Sequence, residues 1–414
     1  MRYTLFLVII FLSLSCTSRS QTRRDSINNN SLDTLSASKS CIPADTLRIL
    51  FVGDLMQHQG QINAARTAKG YDYTTCFEYV KEEIGKADLA IANLEVTFGG
   101  KPYKGYPAFS APDEFLTAIH NAGFNVLVTA NNHSLDRGKP GLERTIRLID
   151  SLSIPHAGTY INPEEREKKY PLILEKNGFR IALLNYTYGT NGIYVTPPNI
   201  INYIDTAIIA KDIETSKVMK PDVIIACMHW GIEYQSLPDK EQKFLADWLI
   251  RKGVNHVIGS HPHVVQPIEV REDSVTNDKN LVVYSLGNYI SNMSARHTDG
   301  GLMVKMELVK DSITRLNKCE YSLVWTARPT QSGKKNHQLL PVNLPTDSIP
   351  VNARNSLKIF VNDTRSLFSK YNRGIKEYTF YKKNRHKAQR KAKFYINKCR
   401  SASCMQGGLK QASA

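Results

Sequence analysis

Three things are missing from this chain of 414 residues. After the first sixteen residues no stretch is apolar enough to span a bilayer, which takes about 20 consecutive apolar residues, so a protein with several membrane spans is excluded. No two of the seven cysteines have zinc-ribbon spacing, which excludes a structural zinc module of that kind. There is no internal repeat, and with it goes any solenoid or propeller. Large apolar residues are also nearly absent from Thr17 to about Ala44, where Ser, Thr, Asn and Arg dominate. Such a stretch cannot offset the entropy cost of folding, so residues 16–44 are expected to be a flexible tether.

What is present begins with MRYTLFLVIIFLSLSC: a basic Arg2, an apolar run from Tyr3 to Leu14, and a small Ser15 before Cys16. This is the layout of a secretory signal peptide over residues 1–15, and it resembles a lipoprotein signal in which Cys16 becomes the lipidated first residue. The expectation is an exported, membrane-anchored lipoprotein on the periplasmic or cell-surface side. Disulfides are permitted there, but the sequence selects no pairing among Cys41, Cys76, Cys227, Cys319, Cys399 and Cys404. Cys227 lies in an apolar run and reads as inert core.

The formal net charge is +16, and most of it follows Tyr371, in YNRGIKEYTFYKKNRHKAQRKAKFYINKCR. The body is close to balance, so its charge names no partner. Tyr378, Phe380, Tyr381, Phe394 and Tyr395 interrupt the basic tail, as in some nucleic-acid-binding segments. An exported protein seldom meets nucleic acid, so none is expected as a partner; the tail reads as a solvated helix or a contact to an anionic surface.

From Leu47 onward short apolar runs alternate with amphipathic stretches. Strands are expected at 47–52, 89–92, 125–129, 172–175, 180–185, 223–228, 256–258 and 281–286, with helices around 73–85, 113–122, 141–152, 206–218 and 239–252. This alternation indicates an α/β domain with a largely parallel sheet. The Asn177-Gly178 step is a hairpin signal, and the runs at 300–309 and 321–326 form a further antiparallel candidate. The domain is expected over 45–328. Beyond Arg328 periodicity fades, and 329–414 reads as an appendage with one or two helices and a basic end, dispensable to the core beyond about Leu340.

Five short segments place candidate ligands or proton carriers just after expected strands: Asp54 with His58, Asn93 to Glu95, Asn131 to His133 with Asp136, His229 with Glu233, and His261 to His263. In an open α/β sheet the carboxyl ends of the strands line one crevice, so residues far apart in sequence can converge there. Carboxylates, imidazoles and an amide oxygen make a mixed ligand set for Mn²⁺, Zn²⁺ or Fe, without structural thiolates. Two such cations, about 3.5–4 Å apart, can neutralise charge developing on a phosphoryl or acyl oxygen. Each signal alone is weak, since a lone Asp after a strand is often a turn or helix cap; their order makes a shared site. His120, His156 and His256 read as structural. Trp230, Tyr234 and Tyr289 read as packing under loops, and Glu233 and Asn288 as supports for nearby ligands.

The ordered set GD·M, NLE, NNH··D, HWG·EY, G·HPH··Q and YSLGN resembles the CapA family of poly-gamma-glutamate capsule proteins over residues 47–292, and that family is similar to calcineurin-like metallophosphoesterases. The resemblance implies a four-layer α/β/β/α sandwich of metallophosphatase type with two divalent metal ions. By position, Asp54 and His263 would hold one, with His58 as a further ligand; Asn132, His229 and His261 would hold the other, and Glu95 would bridge. His133 would be the proton donor to the leaving group, oriented by Asp136. Two residues depart from the phosphoesterase pattern: His58 comes four residues after Asp54 instead of two, and the bridging carboxylate is Glu95 instead of Asp. The function implied lies in capsule synthesis or processing, with an anionic polymer such as poly-gamma-glutamate and capsule synthase membrane proteins as partners. It is either metal-dependent hydrolysis of amide or phosphate ester bonds, or non-catalytic assembly and export.

Overall fold

Side chains of the strand Asp45–Leu55 alternate between two buried faces, with Leu47, Ile49 and Phe51 on one and Leu50 and Val52 on the other. A strand covered on both sides reads as a near-continuous apolar run, which is why this segment shows no polar alternation. The computed structural model describes residues 45–273 and 278–381. The segments expected as signal peptide (1–15) and tether (16–44), with Cys16 and Cys41, and the tail past 381, with Cys399 and Cys404, lie outside the described residues. Among the described residues Cys76, Cys227 and Cys319 are free thiols, and no helix is long and apolar enough to cross a membrane.

Asp45–Leu55 sits in the middle of a nine-stranded sheet. On one side it pairs parallel with Leu89–Leu94, followed by Val126–Val128 and His156–Ala157; on the other it pairs antiparallel with Gly300–Lys310, then Thr314–Ala327 and Gln338–Pro341. A six-stranded sheet runs Ile268–Glu272, Lys279–Val283, His256–Ser260, Val223–His229, Phe179–Thr187, Leu172–Lys176, with its central four parallel. The Asn177-Gly178 hairpin closes its edge, both residues at positive φ (50° and 78°), as a primed turn requires.

Leu47, Ile49 and Phe51 face Ile181, Leu183, Ile225 and Val283 across a core between the two sheets. The opposite face of the first sheet is covered by Phe115, Leu116 and Ile119 of the helix Asp113–Ala122, and that of the second by Ile209, Ile213, Leu245 and Leu249 of the helices Thr206–Val218 and Lys240–Arg251. The four layers implied by the resemblance are those observed.

The helix expected at 73–85 is α-helical only over Lys81–Ile84. Cys76 N–H donates to Tyr73 O and Val80 N–H to Phe77 O, so tight turns, not an α-helix, bury Tyr73, Cys76, Phe77 and Val80. The segment beyond Arg328 is also more than an appendage as far as it is described. Gln338–Pro341 extends the large sheet, Lys376–Glu377 pairs with Glu320 and Tyr321, and the helix Val351–Tyr371 inserts Ala353, Leu357, Phe360 and Phe368 into the core between the sheets. Its apolar face is narrow and flanked by Asn, Arg and Lys, which hid its periodicity. Packing therefore continues past Leu340, against the expectation that this part is dispensable.

Candidate metal centre

The strand ends converge. Asp54 is the penultimate residue of its strand, and its N–H donates to Gly287 O at 3.1 Å. That approach needs glycine at position 53, because a Cβ there would come 1.8 Å from Gly287 O. Asn93 and Glu95 close the neighbouring strand, Asn131 to Asp136 form the loop after Val126–Val128, and His229 is the last residue of its strand. His261 and His263 follow His256–Ser260 at positive φ, 100° and 58°. Non-glycine residues held there cost of order 1–3 kcal/mol each, and such strain clusters at functional sites.

Asn93 is the hub of the polar contacts. Its Nδ2 donates to Asp54 Oδ1 at 2.8 Å and to Glu95 Oε2 at 3.2 Å, and lies 3.3 Å from His229 Nδ1. Asn131 Nδ2 donates in turn to Asn93 Oδ1 at 3.3 Å and to Leu94 O at 2.8 Å. Glu95 Oε1 lies 3.7 Å from His263 Nε2 and 3.9 Å from His229 Nε2, so it stands between the two histidines. Asn132 Oδ1 is 2.8 Å from His229 Nε2, and His263 Nδ1 is 3.0 Å from Asn288 Oδ1 and 3.3 Å from Asp54 Oδ2.

These side chains are almost fully buried, and burial sets their protonation. His261 is pushed down to about 3 and His229 well below the usual imidazole range, by desolvation first and then by neighbouring histidines. Both rings are neutral with lone pairs to offer. Burial also lowers His263, but the adjoining Asp54 carboxylate, with Glu233 and Asn288, outweighs it and the net shift is upward. Glu95 is raised well above the carboxylate range, by desolvation first and then by the charge of Asp54. An opposite charge nearby reverses such a shift.

A divalent cation fits this donor set. Glu95 Oε1 and His261 Nδ1 are buried with no hydrogen-bond partner, and Asp54 Oδ2 has only the contact to His263 Nδ1 at 3.3 Å, whereas buried polar atoms are otherwise nearly always satisfied. Ligand atoms of Asp54, Glu95 and His263 all lie within 4.8 Å of one another, and so do those of Glu233, His261 and His263. Glu233, expected only as a support, thus reaches the ligand neighbourhood. His58 belongs to neither group. Its Nδ1 accepts from Asn292 N–H at 3.4 Å and its ring packs edge-on against Phe109; its pKa is lowered to about 4 by burial, although a hydrogen bond to Gln61 raises it, and His263 and His133 are close enough to lower it further.

His133 Nδ1 faces Asp136 Oδ2 in a buried pair, and Asn288 also donates to Thr298 O at 2.8 Å while positioning His263. His156 and His256 are buried away from the cluster, the first beside Asp150 and the second accepting from Leu281 N–H. Trp230 and Tyr289 pack under the loops as expected, but Tyr234 is 53% exposed. In the sequence Asn93 and Asn131 stand only as members of strand-end segments, with no role of their own, and Tyr188 is not singled out. The strand-end rule places Asn93 and Asn131 in the site without giving an amide a task; Tyr188, just after Phe179–Thr187, meets the same rule. The Tyr188 ring lies 4.5 Å from that of His261 and stacks parallel to that of His229 at 6.4 Å.

The model of the family described as bacterial capsule synthesis protein PGA_cap matches residues 48–293. The PGA biosynthesis protein CapA of Bacillus subtilis (strain 168) is 29% identical over 280 residues, 66% of this chain and 70% of that protein. The capsule biosynthesis protein CapA of Bacillus anthracis is 27% identical over 276 residues, 64% of each chain, so the match spans less than two thirds of that relative. Among solved structures, the calcineurin-like phosphoesterase YfkN from Bacillus subtilis superposes at a TM-score of 0.41 with 14% identity, covering 78% of this chain and 99% of that one. The NAD nucleotidase NadN of Haemophilus influenzae does so at 0.42 with 13% identity, covering 86% and 61%. Overlap at these scores is loose.

Proposed function

Because this chain belongs to the bacterial capsule synthesis protein family PGA_cap, with more than half of its length matched, we propose that it acts in capsule synthesis or processing as a metal-dependent hydrolase of amide or phosphate ester bonds in an extracytoplasmic polymer. The observation that carries the reading is the trio of buried ligand atoms Asp54 Oδ2, Glu95 Oε1 and His261 Nδ1, which stand among carboxylates and imidazoles without completing a hydrogen bond of their own. A binding scaffold has no physical need for them. Asp54, Glu95, Asn132, His229, His261 and His263 would hold two divalent ions of the Mn, Zn or Fe class, with Glu95 between them and Glu233 adjoining. When bound, such ions supply Lewis-acid charge to a phosphoryl or acyl oxygen.

The protein's own groups supply the proton. Asp136 accepts from His133 Nδ1, which fixes the tautomer and orientation of the ring, so His133 Nε2 is the atom that exchanges a proton with the leaving group. Asn93, through Asp54, Glu95 and His229, keeps the three ligands in one orientation. The protein would be exported, held at the membrane through lipidated Cys16, and would meet an anionic polymer such as poly-gamma-glutamate together with membrane-bound capsule synthase proteins.

A second reading, a non-catalytic assembly or export component retaining the metal site, is favoured by the names of the two CapA relatives, which speak of biosynthesis. Metal analysis and polymer hydrolysis decide between them. Wild type should carry two ions and cleave polyglutamate or a model phosphodiester, and His229→Ala with His261→Ala should lose both properties. Equal metal content in the two proteins would sink the metal centre; metal without activity on either substrate would leave the assembly reading standing.

A further inference from the structure

A cavity of about 310 Å³ lies beside the centre, where the helix Val351–Tyr371 meets the loops that carry the ligands; Ser236, Val265, Arg296, His297, Asp363 and Lys370 stand in its wall. Ligand pockets run from about 300 to 1,000 Å³, so this one suits a single charged group of a longer molecule. Val265 is two residues past His263, and Ser236 three past Glu233. Two residues span at most about 7 Å, so the wall begins beside a ligand of the centre. The loop carrying Arg296 and His297 is tied to the same ligand: Asn288 Nδ2 donates to Thr298 O at 2.8 Å while Asn288 Oδ1 lies 3.0 Å from His263 Nδ1. His297 is held at a φ of 74°, and strained non-glycine residues cluster at active sites and ligand clamps.

The charges in this cavity differ in what they have left to offer. Asp363 is already engaged on both oxygens: Oδ1 accepts from Arg296 Nη2 at 2.9 Å, and Oδ2 accepts from Arg296 Nε at 2.7 Å and lies 2.9 Å from His297 Nε2. The fork uses two of the five guanidinium N–H groups. Among the described residues Arg296 Nη1 has no acceptor, and the side chain is 69% exposed. Lys370 follows Asp363 by seven residues, two turns on along one face of the helix. Its carbonyl accepts from Arg373, but its ammonium has no ion pair among the described residues. Two cations thus face the cavity against one carboxylate that is occupied, with the Ser236 hydroxyl as a further donor. A guanidinium edge and an ammonium together match the oxygens of a carboxylate or a phosphate.

We propose that this cavity is an anion subsite of the centre: Arg296 Nη1 and Lys370 Nζ hold one carboxylate or phosphate of a polymer whose next unit lies at His263, and Asp363 positions the guanidinium. The inference rests on the reading of an anionic polymer at the centre and adds the residues that grip it. Tetra-γ-glutamate, its uncharged counterpart tetra-γ-glutamine, and tripolyphosphate would be titrated by calorimetry into the full chain as wild type, Arg296→Ala and Lys370→Glu. Both side chains are exposed, so all three proteins should fold and carry the same metal. Wild type should bind tetra-γ-glutamate or tripolyphosphate more tightly than tetra-γ-glutamine, and the tighter of the two anions tells carboxylate from phosphate. Arg296→Ala should weaken that binding about 3–10-fold, between the worth of an exposed ion pair and that of a buried charged hydrogen bond, and Lys370→Glu at least as much. The basic tail is common to all three proteins, so differences among them report the cavity. Equal affinity for tetra-γ-glutamine, or anion binding unchanged in both variants, would overturn the subsite. Metal content and polymer cleavage bear on the hydrolase reading alone: a protein that binds through Arg296 and Lys370 without cleaving keeps the subsite and loses the hydrolase.

Discussion

His133 Nδ1 and Asp136 Oδ2 lie 2.7 Å apart with both side chains buried, and Phe109 N–H donates to the same carboxylate oxygen at 2.8 Å. The imidazole is therefore aimed by a carboxylate that is itself held by the backbone. Loss of a positioned general acid typically costs about 10²–10⁴-fold in rate. His133→Ala should lower turnover by that order at unchanged metal content, and Asp136→Asn by less, because the ring remains. Matched-metal kinetics on a model phosphodiester check this, and equal rates for wild type and His133→Ala would remove the residue from the mechanism.

Removal of metal should cost stability as well as activity. A cation that binds only the folded state stabilises by about 2.7 kcal/mol at a free concentration 100 times its Kd, and here it would also relieve the repulsion between Glu95 and Asp54. Thermal unfolding with and without added Mn²⁺, after chelation, should show an upward shift in wild type that Glu95→Gln reduces. An identical shift in both proteins would place the ion elsewhere.

Acid should weaken the fold before the carboxylates titrate. Burial holds His256 down to about 3, and burial with Arg328 and His58 holds His337 down to about 4. An unfolded histidine titrates near 6.5. Between these values the unfolded chain takes up protons that the folded one refuses, so stability is full above about pH 6.5 and falls as pH drops toward 4, by up to about 1.4 kcal/mol per pH unit for each group. Protonation would also remove the acceptor that His256 Nδ1 offers to Leu281 N–H at 3.1 Å. Urea unfolding at pH 7, 6 and 5 should show the decline, and His256→Gln should flatten it; constant stability over that range would contradict the argument.

Truncation after Leu340 should leave a destabilised or unfolded protein, since it removes Phe360 and Leu357 from between the sheets. The single change Phe360→Ala should cost about 3–5 kcal/mol, measured by denaturant unfolding. A truncated chain that still unfolds cooperatively at the wild-type midpoint would show the helix to be peripheral.

Cys16→Ala should abolish signal processing and partitioning into detergent. Unchanged behaviour on both counts would rule out the lipid anchor.

Much of the layout was legible in the sequence because its signals were local and redundant. Runs such as 223–228 are too short and too β-branched to be anything but buried strands, Asn177-Gly178 carries its turn chemistry in two residues, and the histidines and carboxylates follow strands one after another. What was not legible depended on neighbours. The helix Val351–Tyr371 owes its place to an opening between two sheets that no window of sequence describes. Asn93 owes its role to three partners from other strands and a loop, and an amide offers no pattern of its own. Tyr234 looked like packing because it follows a tryptophan closely, yet its ring stands half exposed beside His263.

The large sheet also imposes an order on synthesis. Thr46 pairs with Val309 and Asp45 with Lys310, and the core beneath is completed only by the helix Val351–Tyr371. At about 5–20 residues per second, the first strand waits on the order of ten seconds or more for its antiparallel neighbour. Throughout that interval the nascent chain cannot close its central core, and the apolar faces of its first strands wait open for partners that have not yet been made.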